Sequence, residues 1–217
     1  MKQINGSICA AKGFKTAALH VGVKTKNTSK KDVAIIYSEV LANTASVYTK
    51  NKVQAAPIHV TKKHLENKKA QAIIVNSGNA NACAINGEKH ALSTCAKVAQ
   101  ELCINESDVV VASTGVIGQE LNVSVILDGI PTLVKSLSNQ NDMDAAEAIM
   151  TTDTASKTIA LEFEIDGKVC HMGAIAKGSG MIHPNMGTML CFITTDVAIN
   201  EKKLQKDLIA AVNVSFN

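Results

Sequence analysis

The 217-residue sequence contains no arginine; its 22 basic residues are all lysine and face 19 acidic ones, for a net charge of +3. Tryptophan is absent and aromatic residues make up only 3%. Specific nucleic-acid recognition relies on arginine forks and on aromatic platforms for bases, so these absences argue against nucleic acid as a partner. No apolar run approaches the ~20 residues of a membrane-spanning helix, and residues 1–24 lack the pattern of a secretory signal. The six cysteines form no C-x-x-C pair, which excludes a zinc knuckle and a dense disulfide framework. Scattered thiols fit a reducing compartment, and the expectation is a soluble cytoplasmic protein. The histidines never form H-x-x-x-H, there is no phosphate-binding G-x-x-x-x-G-K-[ST], and Ser179 lacks the spacing of G-x-S-x-G. Gly178 and Gly180 are followed by His183 where a dinucleotide fingerprint needs its third glycine. No metal and no cofactor is expected.

What is present is a substantial core, with 46% hydrophobic and only 19% charged residues. At this length the chain makes one large domain or two small ones. Residues 17–24 and 33–38 read as strands around a polar, lysine-rich turn at 25–31. Residues 71–76 form an apolar run that ends in a loop at 77–81, and 109–112 a compact strand before a glycine-bearing turn at 113–118. Between them, Leu92, Cys95, Ala99 and Leu102 recur at helical spacing, predicting an amphipathic helix over 88–103. Residues 157–165 alternate apolar with polar, Asp166–Gly167 supplies a two-residue turn, and 168–176 return as the partner strand. A further buried strand covers 189–195, and Asn200 caps a final helix carrying Leu204, Leu208 and Ala211. The fold class is therefore α+β, mixed sheets layered with helices.

The segment AKGSGMIHPNMGTMLCFITTD (176–196) places Thr188 at the start of a buried strand, after the small Gly187. A threonine hydroxyl is a poor nucleophile unless a base removes its proton. Making threonine the first residue of a chain supplies that base, its own α-amine. With a pKa near 7.7–8.0, on the order of a fifth of such amines are unprotonated at neutral pH. Freeing the amine requires cutting the preceding peptide bond, and a small residue there lets the hydroxyl reach the carbonyl. By spacing alone, a plain loop between two strands is the simpler reading.

HPNMGTMLCFITTD closely resembles the self-cleavage segment of the ornithine acetyltransferase family, also called glutamate N-acetyltransferase. NSGNANAC (76–83), STGVIG (113–118) and AIMTTDT (148–154) resemble further family segments, in the family's order. The resemblance implies a self-cleaving N-terminal-nucleophile architecture cut between Gly187 and Thr188. Residues 1–187 would form an α chain and 188–217 the start of a truncated β chain. Thr188 would be the nucleophile, Thr114 and Gly115 the oxyanion hole, and Thr151, Lys177 and Thr188 would contact substrate. The loop 76–81 is expected to shape the site without a named role.

The implied activity belongs to arginine biosynthesis. N2-acetylornithine acetylates Thr188, ornithine leaves, and glutamate takes the acetyl group in a ping-pong cycle. Acetyl-CoA stays open as a second donor, and the implied assembly has two α and two β chains. Family members run to about twice this length, and the final helix reaches almost to Asn217. The downstream acidic contact and carboxyl-terminal binding residues would then come from the remaining part of the β chain. Two alternatives stand beside this reading: a self-cleaving aminopeptidase or amidase of the same architecture, and an inactive truncated domain that only binds a partner.

Overall fold

The computed structural model describes residues 1–24, 29–180 and 189–216. Two four-stranded sheets organise them. The first runs β2 (Phe14–Leu19), β3 (Val33–Asn43), β4 (Lys69–Asn79) and β5 (Val109–Val116) in spatial order. β2, β3 and β4 pair antiparallel, whereas β4 and β5 are parallel. A parallel neighbour needs a crossover, which the amphipathic helix α2 (Gly87–Leu102) provides, one residue from its predicted start. The second sheet is wholly antiparallel, in the order β1 (Lys2–Ile4), β6 (Lys157–Ile165), β7 (Lys168–Lys177) and β8 (Leu190–Thr195).

β3 reads VAIIY with no alternation because both of its faces are covered. Val33 and Ile35 join Ile74, Val98, Val109, Ile126 and Ile130 in one core. That core lies beneath α1 (Ala56–His64), α2 and α3 (Val123–Lys135). Ala34 and Ile36 point the other way and meet Val75, Ile149 and Ile175 in a second core, between the two sheets. α4 (Asp142–Ala148) enters this second core with three buried alanines, Ala145, Ala146 and Ala148, whose small size permits close packing.

α1, α3 and α4 were not legible as helices. α3 contains Gly129 and Pro131, both poor helix-interior residues. Gly129 is required by packing, since a Cβ there would lie 2.5 Å from Val21 Cγ1. The expected strand 17–24 stops at Leu19. Beyond it, the buried Asp32 carboxylate accepts hydrogen bonds from the N–H groups of Val21, Gly22 and Lys24, at 2.7, 3.1 and 3.0 Å, and so draws the chain out of the sheet. The expected loop at 77–81 and turn at 113–118 are in large part strand, because β4 and β5 continue to pair through Ser77/Thr114 and Gly78/Gly115. The 166–167 hairpin has the predicted register, with Asp166 and Gly167 both at positive φ. α5 (Glu201–Asn213) starts as expected, the Asn200 side chain accepting from Lys202 N.

Candidate active site

The ends of β4 and β5 pair side by side, and the segment 148–154 is hydrogen-bonded to β4 through the Ala148 carbonyl and to the end of β7 through Asp153. Gly78 and Gly115 lie side by side at φ +106° and +136°. A Cβ on Gly115 would stand 2.3 Å from the Gly78 carbonyl carbon and 2.6 Å from Asn79 N, so the two backbones are in contact and only glycine fits. Valine at Gly115 would have to displace this turn. The loop 20–24 that Asp32 draws aside packs on the same turn, with Val23 about 3.2 Å and Lys24 Cγ 3.0 Å from where a Gly78 Cβ would be.

A polar network fixes the strand ends. Ser113 Oγ donates to Asn76 Oδ1 at 2.6 Å, and Asn76 Nδ2 donates to the Asn79 carbonyl at 2.9 Å. Asn79 accepts from Asn81 N at 2.7 Å and donates to the carbonyls of Gln119 and Glu120. The 76–81 segment thus holds the strand ends that carry Thr114 and Gly115, a role consistent with its expected part in shaping the site. Ser77 Oγ donates to the Ala148 carbonyl and ties β4 to the end of α4.

Thr151 follows α4 in a half-buried turn. Lys177 ends β7 with only 2% of its surface exposed, and its ammonium donates to the Gly178 carbonyl at 2.5 Å. Burial, aided by the Lys157 charge, pulls its pKa below the usual lysine value, and nearby Asp153 opposes the shift. Asp153, which sequence reasoning passed over inside AIMTTDT, joins the two segments by accepting from Thr151 N and Gly178 N. Its pairing with Lys157 is an i,i+4 spacing readable from sequence; its bond to Gly178 is not.

Gly187 and Thr188 lie outside the described residues. Their neighbour Met189 does not: with Leu190 and Cys191 it lines an apolar cavity of about 440 Å³ whose wall also includes Ser113, Thr114 and Gly115. Burial lifts the Cys191 thiol to about 11, so it is not a ready thiolate. Among the described residues no group of three or more His, Cys, Asp or Glu side chains is arranged to hold a metal ion, and no helix is long and apolar enough to cross a membrane.

Two stacked sheets with helices define an α+β protein, and its fold is like that of an Ntn hydrolase. The L-aminopeptidase D-Ala-esterase/amidase of Ochrobactrum anthropi, described as a variant of that fold, superposes with a TM-score of 0.52 at 10% identity, a likeness of fold alone. Residues 15–217 match the model of the ArgJ family, and the chain belongs to that family. It is 47% identical over 220 residues to the arginine biosynthesis bifunctional protein ArgJ of Caldanaerobacter subterraneus, covering 100% of this chain and 53% of that protein. The protein of the same name from Listeria monocytogenes is 51% identical, with 100% and 54% covered. The chain therefore spans about half the length of the curated relatives it matches. The ArgJ crystal structure from Bacillus halodurans aligns with TM-score 0.78 at 42% identity, over 87% of this chain and 97% of that one. The ornithine acetyltransferase of Mycobacterium tuberculosis, solved with ornithine, gives 0.77 at 31% over 87% and 99%.

Proposed function

We propose that this chain supplies the α portion, 1–187, and the first β residues, 188–217, of a self-cleaving acetyltransferase of arginine biosynthesis. It moves acetyl from N2-acetylornithine to glutamate through an ester on Thr188. The observation that carries the reading is the shared cavity: Met189, one residue beyond the proposed nucleophile, lines the same space as Thr114 and Gly115. Chain lengths support cleavage. The Bacillus halodurans chain is almost fully covered by 87% of this one, so it is about as long as the stretch up to Gly187, whereas the curated relatives are about twice this chain's length.

In this mechanism the Thr188 hydroxyl first attacks the Gly187 carbonyl and displaces its own nitrogen, and water hydrolyses the resulting ester. The freed α-amine then takes the hydroxyl proton while Oγ attacks the acetyl carbonyl of N2-acetylornithine. Thr114 and Gly115 donate to the tetrahedral oxyanion, where one donor is worth roughly 10²–10³ in rate. The proton passes to the departing ornithine amine, and the glutamate amine attacks the acetyl ester in turn. Lys177 offers an ammonium to a substrate carboxylate and Thr151 contacts the same ligand. Whether acetyl-CoA serves as a second donor for the same ester stays open in this reading. The remaining β-chain residues complete the substrate site, and two α and two β chains form the assembly, in the cytoplasm.

Denaturing intact mass of the whole gene product tests this directly. Two pieces meeting at Gly187/Thr188 are expected, and brief exposure to N2-acetylornithine alone adds one acetyl mass to the piece that begins at Thr188. Thr188→Ala leaves an uncut, folded chain without transfer, while Thr188→Ser still cuts and keeps some activity. An alanine variant that is cut and turns over normally removes Thr188 from the mechanism. Release of free acetate at the same rate with and without glutamate would point to an amidase instead.

A further inference from the structure

Asp153 is placed where it governs both segments expected to contact substrate. Its side chain is only 4% exposed. Oδ2 accepts from Thr151 N at 3.3 Å, while Oδ1 accepts from Gly178 N at 2.8 Å and from Lys157 Nζ at 2.9 Å. Gly178 is also the residue whose carbonyl receives the Lys177 ammonium. One carboxylate therefore grips the N–H of the same residue whose C=O holds the lysine. A Cβ at Gly178 would stand 3.4 Å from Asp153 Oδ1, an ordinary contact distance, so the carboxylate lies directly against this residue.

A buried carboxylate is costly unless hydrogen bonds and a counter-charge compensate it. Here two peptide N–H groups and the Lys157 ammonium do so. An apolar side chain would fill the space more cheaply, but it would supply neither the two backbone anchors nor the negative charge. Among the described residues, Asp153 acts on Lys177 to favour its protonated form and Lys157 opposes it.

We propose that Asp153 is a positioning residue that tethers the Thr151 turn to the Lys177–Gly178 strand end, and so orients the Lys177 ammonium and keeps it charged for a substrate carboxylate. This rests on the reading of Lys177 as the carboxylate contact. A neutral amine would offer no charge to the ligand, and a released Gly178 would let the ammonium swing away from its line of approach.

The test uses Asp153→Asn in the whole protein, which keeps the shape but removes the charge. Three quantities are read: the cleavage state by mass, steady-state kinetics with N2-acetylornithine and glutamate across pH, and the pH midpoint for labelling Lys177 with an amine-reactive reagent. The variant should fold and be cut. Its kcat/KM should fall by roughly 10- to 100-fold, mostly through KM, as expected for loss of hydrogen bonds to a charged group. The labelling midpoint and the alkaline limb of the pH profile should both move to lower pH. Asp153→Glu should recover part of the loss, and Lys157→Gln, which removes only the solvent-exposed partner of the pair, should cost less than roughly five-fold. Unchanged KM together with an unchanged labelling midpoint overturns the proposal. If Asp153→Asn does not fold, Asp153→Ser removes the same charge with a smaller side chain, and an unchanged KM and midpoint there overturn it equally. Wild-type protein that transfers no acetyl defeats the acetyltransferase reading instead, and the labelling midpoint still decides whether Asp153 controls Lys177.

Discussion

At the residue scale, the candidate site keeps a cation where the fold would be better without one. Burial lowers the pKa of Lys177, so its protonated form costs stability in full below the folded pKa, and that cost fades as pH rises from there to the ordinary lysine value of the unfolded chain. Lys177→Met should therefore leave the melting temperature at neutral pH unchanged or raised. In the whole enzyme, KM for the carboxylate-bearing substrates should rise by roughly 10- to 100-fold. A thermal scan paired with kinetics checks both. A large drop in melting temperature would make Lys177 a structural residue. The lysine itself was readable from its place before a glycine-rich turn, but its burial was not. Nothing in AKGSG shows that β7 ends inside the molecule, against a turn from a segment some twenty-five residues earlier.

At the scale of elements, local chemistry and tertiary capture divide the chain between them. The β6–β7 hairpin was legible because alternation and Asp166–Gly167 agree on one register, and the turn needs positive φ at both residues. Gly167 sits at φ +73° with open space around its missing Cβ, so Gly167→Val meets no clash, only backbone strain of about 1–2 kcal/mol. Chemical denaturation should register that loss while acetyl transfer by the surviving folded enzyme stays within about two-fold, since the hairpin tip is remote from the β7 end that carries Lys177. The β4 and β5 ends behaved differently. Their Asn/Gly-rich and Ser/Thr/Gly sequences read as loops by composition, yet parallel pairing carries them on as strands past Gly78 and Gly115. Propensity is a weak prior wherever a neighbouring backbone satisfies the same hydrogen bonds.

On the scale of the whole molecule, buried or half-buried carboxylates set its response to acid. Burial pushes Asp153 upward, but donors from Lys157, Gly178 and Thr151 and the Lys177 charge outweigh it and hold the pKa below the usual carboxylate value. Asp196 is held low in the same way, its burial outweighed by the His171 and Lys12 backbone N–H groups and by the His171 ring. A depressed carboxylate pKa contributes stability that is complete above the unfolded value, near 3.9, and is lost as pH falls through the folded value. Unfolding midpoints should therefore be flat with respect to these groups above about pH 5 and drop below about pH 4. Asp196→Asn should lower stability at pH 7 and flatten that acid limb, as urea titrations at several pH values would show. The sequence by itself determined the α+β class, the hairpin, the α2 crossover helix and the four segments that mark the ArgJ family, because each depends on periodicity or on contiguous residues. Only the tertiary structure decided that Asp32 draws 20–24 onto Gly78, that α4 sits between the sheets, and that Asp153 joins Thr151 to Lys177. Those contacts link residues from separate segments, and a carboxylate's choice among distant backbone donors is settled by how the sheets stack, which no local pattern encodes.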